Sequence, residues 1–175
     1  MRWLLVAILG YASLAIQTAV FRPGGLALPI DGHWARPDLA LVFGLFLALY
    51  FRPGEVFVAA WCLGMASDLV AVGGRLGTGA LLFCGVLTGL SYLRESLNRR
   101  WIFTQSLLAF ATVFVIHLAW QVASRYFAGA PLGVLRSVET SVLDAAYAAI
   151  LAPYLIWLLM RLRGPLGVTV EPYEI

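Results

Sequence analysis

Three ionisable residues, Asp68, His117 and Asp144, interrupt otherwise apolar stretches of this chain. A charge inside an apolar span is costly and marks a functional or structural polar site by default. Helix geometry places all three in the same half of a bundle. Asp68 lies about 18 Å along its helix from Val56, while His117 and Asp144 each lie about 10 Å from the other end of theirs. His117, Gln121 and Ser124 follow i, i+4, i+7 spacing, as do Thr140, Asp144 and Tyr147, so each set forms one helical stripe. Gly64 stands one turn before Asp68 and permits close backbone approach there. Gln17 on the first helix lies at a similar depth. A hydrogen-bonded cluster of Asp68, His117 and Asp144 is the expectation. It reads either as a polar plug that locks helix packing or as a pocket or docking face for a partner. No nucleophile–base pair, phosphate loop or metal-ligand spacing accompanies these residues, so they do not compose an active site.

The elements that hold them are membrane helices. Of 175 residues, 62% are hydrophobic and 12% charged, and soluble domains are nearer half and a quarter. That excludes an ordinary soluble enzyme domain, a disordered chain and a disulfide scaffold. All 12 basic residues are Arg, scattered between apolar runs at a net charge of +3, so no basic block for nucleic acid exists. Cys62 and Cys84 lie inside apolar runs and read as small buried hydrophobes, unlinked.

Charge-free runs predict an all-α, polytopic bundle of six transmembrane helices over approximately 3–21, 37–51, 56–72, 76–93, 101–124 and 137–160. One domain covers 1–163, and 164–175 form a short cytoplasmic tail. The second span is short, and Pro37 suits its first turn. Arg52-Pro53-Gly54-Glu55 reads as a tight polar turn, which favours two spans over a hairpin that enters and leaves by one face. Residues 22–38 read as an irregular loop. Gly85-x-x-x-Gly89 reads as a seat for intramolecular packing. Trp3, Trp101, Trp157 and Tyr50 stand near span ends, as interface anchors do. The first run, 19 residues long, exceeds a signal-peptide core and is read as an uncleaved helix. Arg2, Arg52, Arg94, Arg99, Arg100, Arg161 and Arg163 fall at one face and Arg22, Arg36, Arg75, Arg125 and Arg136 at the other, which places both termini in the cytoplasm.

The middle of the chain, from about 37 to 94, carries an ordered set of motifs. Pro37-Asp38 opens an apolar helix, Arg52-Pro53-Gly54 makes a turn, Gly64-Met-Ala-Ser-Asp68-Leu69 closes the next helix, and Gly74-Arg75-Leu76-Gly77-Thr78-Gly79-Ala80-Leu81 starts another. This order resembles the rod shape-determining protein MreD family. The resemblance implies a non-enzymatic component of the bacterial inner (plasma) membrane without a cofactor. It implies binding to an MreC-like single-span membrane protein and, through it, to the MreB filament and the peptidoglycan synthases of cell-wall elongation. Membrane lipid surrounds such a bundle. The family's motif positions fall here on Pro37, Asp38, Gly64, Asp68 and Gly77. The family is also similar in fold to the membrane substrate-binding subunits of energy-coupling-factor transporters, which implies an alternative, a small-molecule (vitamin-like) binding subunit. The chain departs from the family at Thr78-Gly79, where many relatives have an aromatic or His before the Ala, and the two glycines there are expected to loosen the start of the fourth helix. At position 68 an Asn is expected to be tolerated and a Leu not.

Overall fold

A computed structural model describes residues 2–21, 25–30, 33–70, 76–94, 101–128, 133–162 and 164. The tail beyond residue 164, Arg22, Gly74, Arg75, Arg99, Arg100 and Arg163 lie outside the described residues.

The chain folds into six helices, α1 (Arg2–Ala19), α2 (Leu39–Tyr50), α3 (Pro53–Val70), α4 (Thr78–Leu93), α5 (Ile102–Ala128) and α6 (Val134–Arg161). Helices α3, α5 and α6 are long and apolar enough to cross a membrane, and α1, α2 and α4 are apolar but shorter. Large hydrophobic side chains are exposed on all five helices other than α2, among them Leu4, Phe57, Leu81, Phe103 and Ile150. An exterior this apolar belongs against lipid rather than water.

Helix α2 is the hub. Every residue from Leu39 to Leu49 is buried, and α2 packs against α1, α3, α4, α5 and α6. A helix apolar all round has no face to give to water and sits in protein or in lipid; here five helices take every side of it. Enclosure also permits its length. Twelve residues rise only about 18 Å, short of the 37–51 span expected; a helix walled in by five others need not match the thickness of a bilayer. Its N-cap is Asp38, whose side chain accepts from the Leu41 amide at 3.0 Å, and Pro37 therefore precedes the cap instead of opening the helix. The α2–α3 connection is only Phe51-Arg52. Pro53 takes the first helical position, where its missing N–H costs nothing, and Gly54 and Glu55 belong to the first turn of α3 rather than to a loop. The 22–38 segment is not wholly irregular. It carries an antiparallel ribbon, β1 (Leu28–Ile30) with β2 (His33–Ala35), in which Pro29 pairs with Trp34. The ribbon lies on α6, and the Tyr147 hydroxyl donates to the Leu26 carbonyl at 3.1 Å.

The α3–α4 seam is the closest helix pair along the motif region. A Cβ on Gly64 would stand 2.5 Å from the Cα of Ala80 and 2.8 Å from its amide nitrogen. Backbone atoms cannot turn aside as a side chain can. Gly64→Ala is therefore expected to push α3 from α4 and cost about 1–3 kcal/mol, the usual range for overpacking. Its melting temperature in detergent, followed by tryptophan fluorescence, checks this, and an unchanged value would contradict the close approach.

Three expectations change here. Gly85 and Gly89 are exposed, and a Cβ on either would meet nothing within 4 Å, so this pair does not serve packing within the chain. Cys84 is buried but Cys62 is exposed, on the same outward face of α3 as Phe57, Val58 and Trp61. Both thiols are free. Trp3, Trp101 and Trp157 are exposed near helix ends, whereas Tyr50 is half-buried and packs on Phe46 with ring centroids 5.1 Å apart.

Candidate functional site

A cavity of about 860 Å³ opens above the start of α2. Its wall takes the C-terminal ends of α1, α3 and α5 (Gln17, Ser67, Gln121) and the N-terminal parts of α4 and α6 (Gly79, Thr140), with Arg36 and Asp38 leading into α2. The helices thus alternate in direction, and Arg2 and Arg161 fall at the end remote from the cavity. The space exists because α2 starts low. Asp38 meets His117, yet α5 continues to Ala128, about 16 Å further, and α6 begins at Val134, about 15 Å above Asp144. The short hub leaves a well between two tall walls.

The floor is a carboxylate–imidazole–carboxylate triad. His117 Nε2 lies 3.1 Å from Asp38 Oδ2, and Nδ1 lies 3.3 Å from Asp144 Oδ2. Both contacts are hydrogen bonds at once when both ring nitrogens carry protons, or when one of the two acids carries a proton and donates it to the ring. Each acid also holds backbone. Asp38 Oδ1 caps α2 through Leu41, and Asp144 Oδ1 accepts from the Arg36 amide at 2.9 Å. Gln17 Oε1 accepts from the Ala40 amide at 3.3 Å, serving a second orphan donor at the start of α2. The triad therefore ties α2, α5 and α6 together at the point where an unsupported helix start would be costly.

One turn above, Gln121 Nε2 donates to Thr140 Oγ1 at 3.1 Å and to Ser141 Oγ at 3.0 Å. A step of four residues along α5 matches a step of four back along α6, so these antiparallel helices share a polar ladder. Trp120, Leu143, Ile116 and Phe83 supply apolar wall between the polar groups.

Asp68 does not join this cluster. Its carboxylate turns to the start of α4, where Oδ2 accepts from the Gly77 amide at 2.8 Å and both oxygens accept from the Gly79 amide at 3.0 Å. Ala80 N–H lies a further 3.4 Å from Oδ2. The N-cap of α4 is Gly77, with φ of 97° in the left-handed region and no side chain to cap with. Asp68, only 4% exposed, supplies the cap from the neighbouring helix and meets the positive end of the α4 dipole. Gly79 does not loosen α4. A Cβ there would collide with Asp68 Oδ1, so the glycine admits the carboxylate.

Of the predicted site residues, the fold brings His117, Asp144 and Gln121 to one cavity and sends Asp68 to a separate joint with Gly64 and Gly77. Asp38 completes the triad, although in the sequence it stands out only as part of the Pro37-Asp38 motif. A signal existed. An acid capping a helix with no polar face is carried into the bundle wherever protein encloses that helix, and there it needs a partner. Among the described residues no group of three or more His, Cys, Asp or Glu is arranged to hold a metal ion.

No family model matches the chain, and no curated protein or solved structure matches it.

Proposed function

We propose that this chain is a non-enzymatic, multi-pass component of the bacterial inner membrane that acts as an MreD-type scaffold in cell-wall elongation. In this reading it binds an MreC-like single-span partner and helps couple it to the MreB filament and the peptidoglycan synthases. All six helices lie within the membrane, both termini face the cytoplasm and the cavity faces outward, in line with the Arg distribution.

The observation that carries the reading is the physical linkage of the motif positions. Gly64, Asp68 and Gly77 meet at the α3–α4 joint, and Pro37 and Asp38 sit where α2 is fixed to His117. Residues that bond across helices explain why a family would carry them in this order and spacing.

Deletion of the gene is expected to turn rods into spheres, and the tagged chain is expected to carry the single-span partner through detergent extraction and affinity capture. Cells that stay rod-shaped, with no second copy of the gene, would sink the proposal. Reporter fusions at Gly54 should read cytoplasmic and a fusion at Gly133 external.

The cavity favours one alternative, a small-molecule binding subunit of a transporter. Its volume of about 860 Å³ falls in the range of ligand pockets. Capture of ATPase subunits in place of the single-span partner, with a vitamin-like molecule released on denaturation, would select it.

A further inference from the structure

The ladder between α5 and α6 ends on two like charges. From His117 with Asp144, and Gln121 with Thr140, the same register carried one turn further sets Arg125 opposite Arg136. Both arginines line the mouth of the cavity, about 12 Å above its floor. Among the described residues neither forms an ion pair; the nearest acid on the same stretch, Glu139, is exposed one turn inward on α6. The Arg125 guanidinium is packed over the start of α6, since a Cβ on Gly133 would stand 2.7 Å from its Nη1. The first turn of α6 contains no acid either. Two positive side chains, one from each helix, thus stand at the rim of a half-open polar well, with Glu139, three residues from Arg136, the nearest acid on that wall.

We propose that Arg125 and Arg136 together hold the phosphate group of a membrane lipid at the mouth of the cavity. A guanidinium presents paired N–H donors that match phosphate oxygens, and two forks on one anion turn mutual repulsion into attraction. The neighbouring surface suits the remainder of the lipid. Tyr126 and Phe127 on α5 and Val134 and Leu135 on α6 are exposed at the same level, next to the arginines in sequence. Acyl chains can lie along these side chains while the headgroup turns inward over the rim. A free phosphate would use the same donors without touching the apolar residues. The site is independent of which face of the membrane the cavity opens to, so it stands or falls apart from the scaffold proposal.

The test uses the full chain purified in dodecyl maltoside, which contains no phosphate. Native mass spectrometry counts retained phospholipid, and thermal melts follow the addition of phosphatidylglycerol, of diacylglycerol with the same chains, or of inorganic phosphate. Phosphatidylglycerol is expected to be retained and to raise the melting temperature, and diacylglycerol to do neither. Arg125→Gln with Arg136→Gln should weaken binding by roughly tenfold for each guanidinium lost, the equivalent of one charge-assisted contact. Arg125→Lys with Arg136→Lys keeps the charge but not the fork. It should lose about tenfold, and it keeps the test decisive if the Gln pair fails to fold. Protection by inorganic phosphate as strong as by the lipid would keep the phosphate site and move its source to a soluble anion. Equal retention by the parent and both variants would mean lipid bound only around the bundle, and would overturn the assignment. So would protection by an acidic peptide where phosphatidylglycerol gives none, which would make the rim a seat for a partner's acidic segment.

Discussion

Replacing Asp68 with Leu is expected to open the α3–α4 joint and to cost roughly 3–5 kcal/mol, enough to prevent accumulation of the folded chain in cells. The carboxylate serves the amides of Gly77 and Gly79 in a place only 4% exposed. A buried donor left without an acceptor costs about 1–3 kcal/mol, more than the net worth of an ordinary hydrogen bond. Hydrogen bonds between membrane helices average only about 0.6 kcal/mol in measured cycles, because alternative partners exist in the unfolded state. Here the donors are the first amides of a helix whose cap residue, Gly77, has no side chain, so the larger figure decides. The structure also reverses the expectation for Asn. Both carboxylate oxygens accept from backbone N–H groups. An amide would place its own NH2 against one of those donors, so Asp68→Asn should lose about half as much as Leu rather than behave like the parent. Melting temperature and detergent-extracted yield for the two variants check both statements. A Leu variant that melts with the parent would remove the carboxylate from its capping role.

His117→Leu should have the second large effect. It leaves Asp38 and Asp144 facing each other without the ring that separates them, while both still hold backbone at Leu41 and Arg36. Removing one partner of a fully buried charged pair costs about 3–5 kcal/mol. Water in the cavity reaches this site, since the His117 side chain is 23% exposed, and lowers the expected loss to about 2–3 kcal/mol. The informative measurement is a double-mutant cycle. His117→Leu with Asp144→Leu removes the charges on both helices and should be less damaging than the sum of the single changes. Strict additivity would show that the two side chains do not share one interaction.

Hydropathy was enough to read an all-helical chain, six apolar segments and helices of membrane-spanning character, because apolar runs and their polar breaks are local properties of sequence. The i, i+4 stripes on α5 and α6 were legible for the same reason, since a regular helix fixes which residues share a face. What sequence could not decide was which polar group meets which. Depth along separate helices put Asp68, His117 and Asp144 in one layer, but depth says nothing about direction around the bundle. Asp68 points to α4 because Gly64 and Gly79 let those two backbones approach there, and Asp38 replaces it beside His117. The second helix shows the same division. Its composition announced an apolar helix, and its shortness read as an imperfect span. Only the packing of five helices around it made that shortness a structural device, in which the hub stops low, its first amides are served by Asp38 and Gln17, and the taller α5 and α6 enclose a polar well above it.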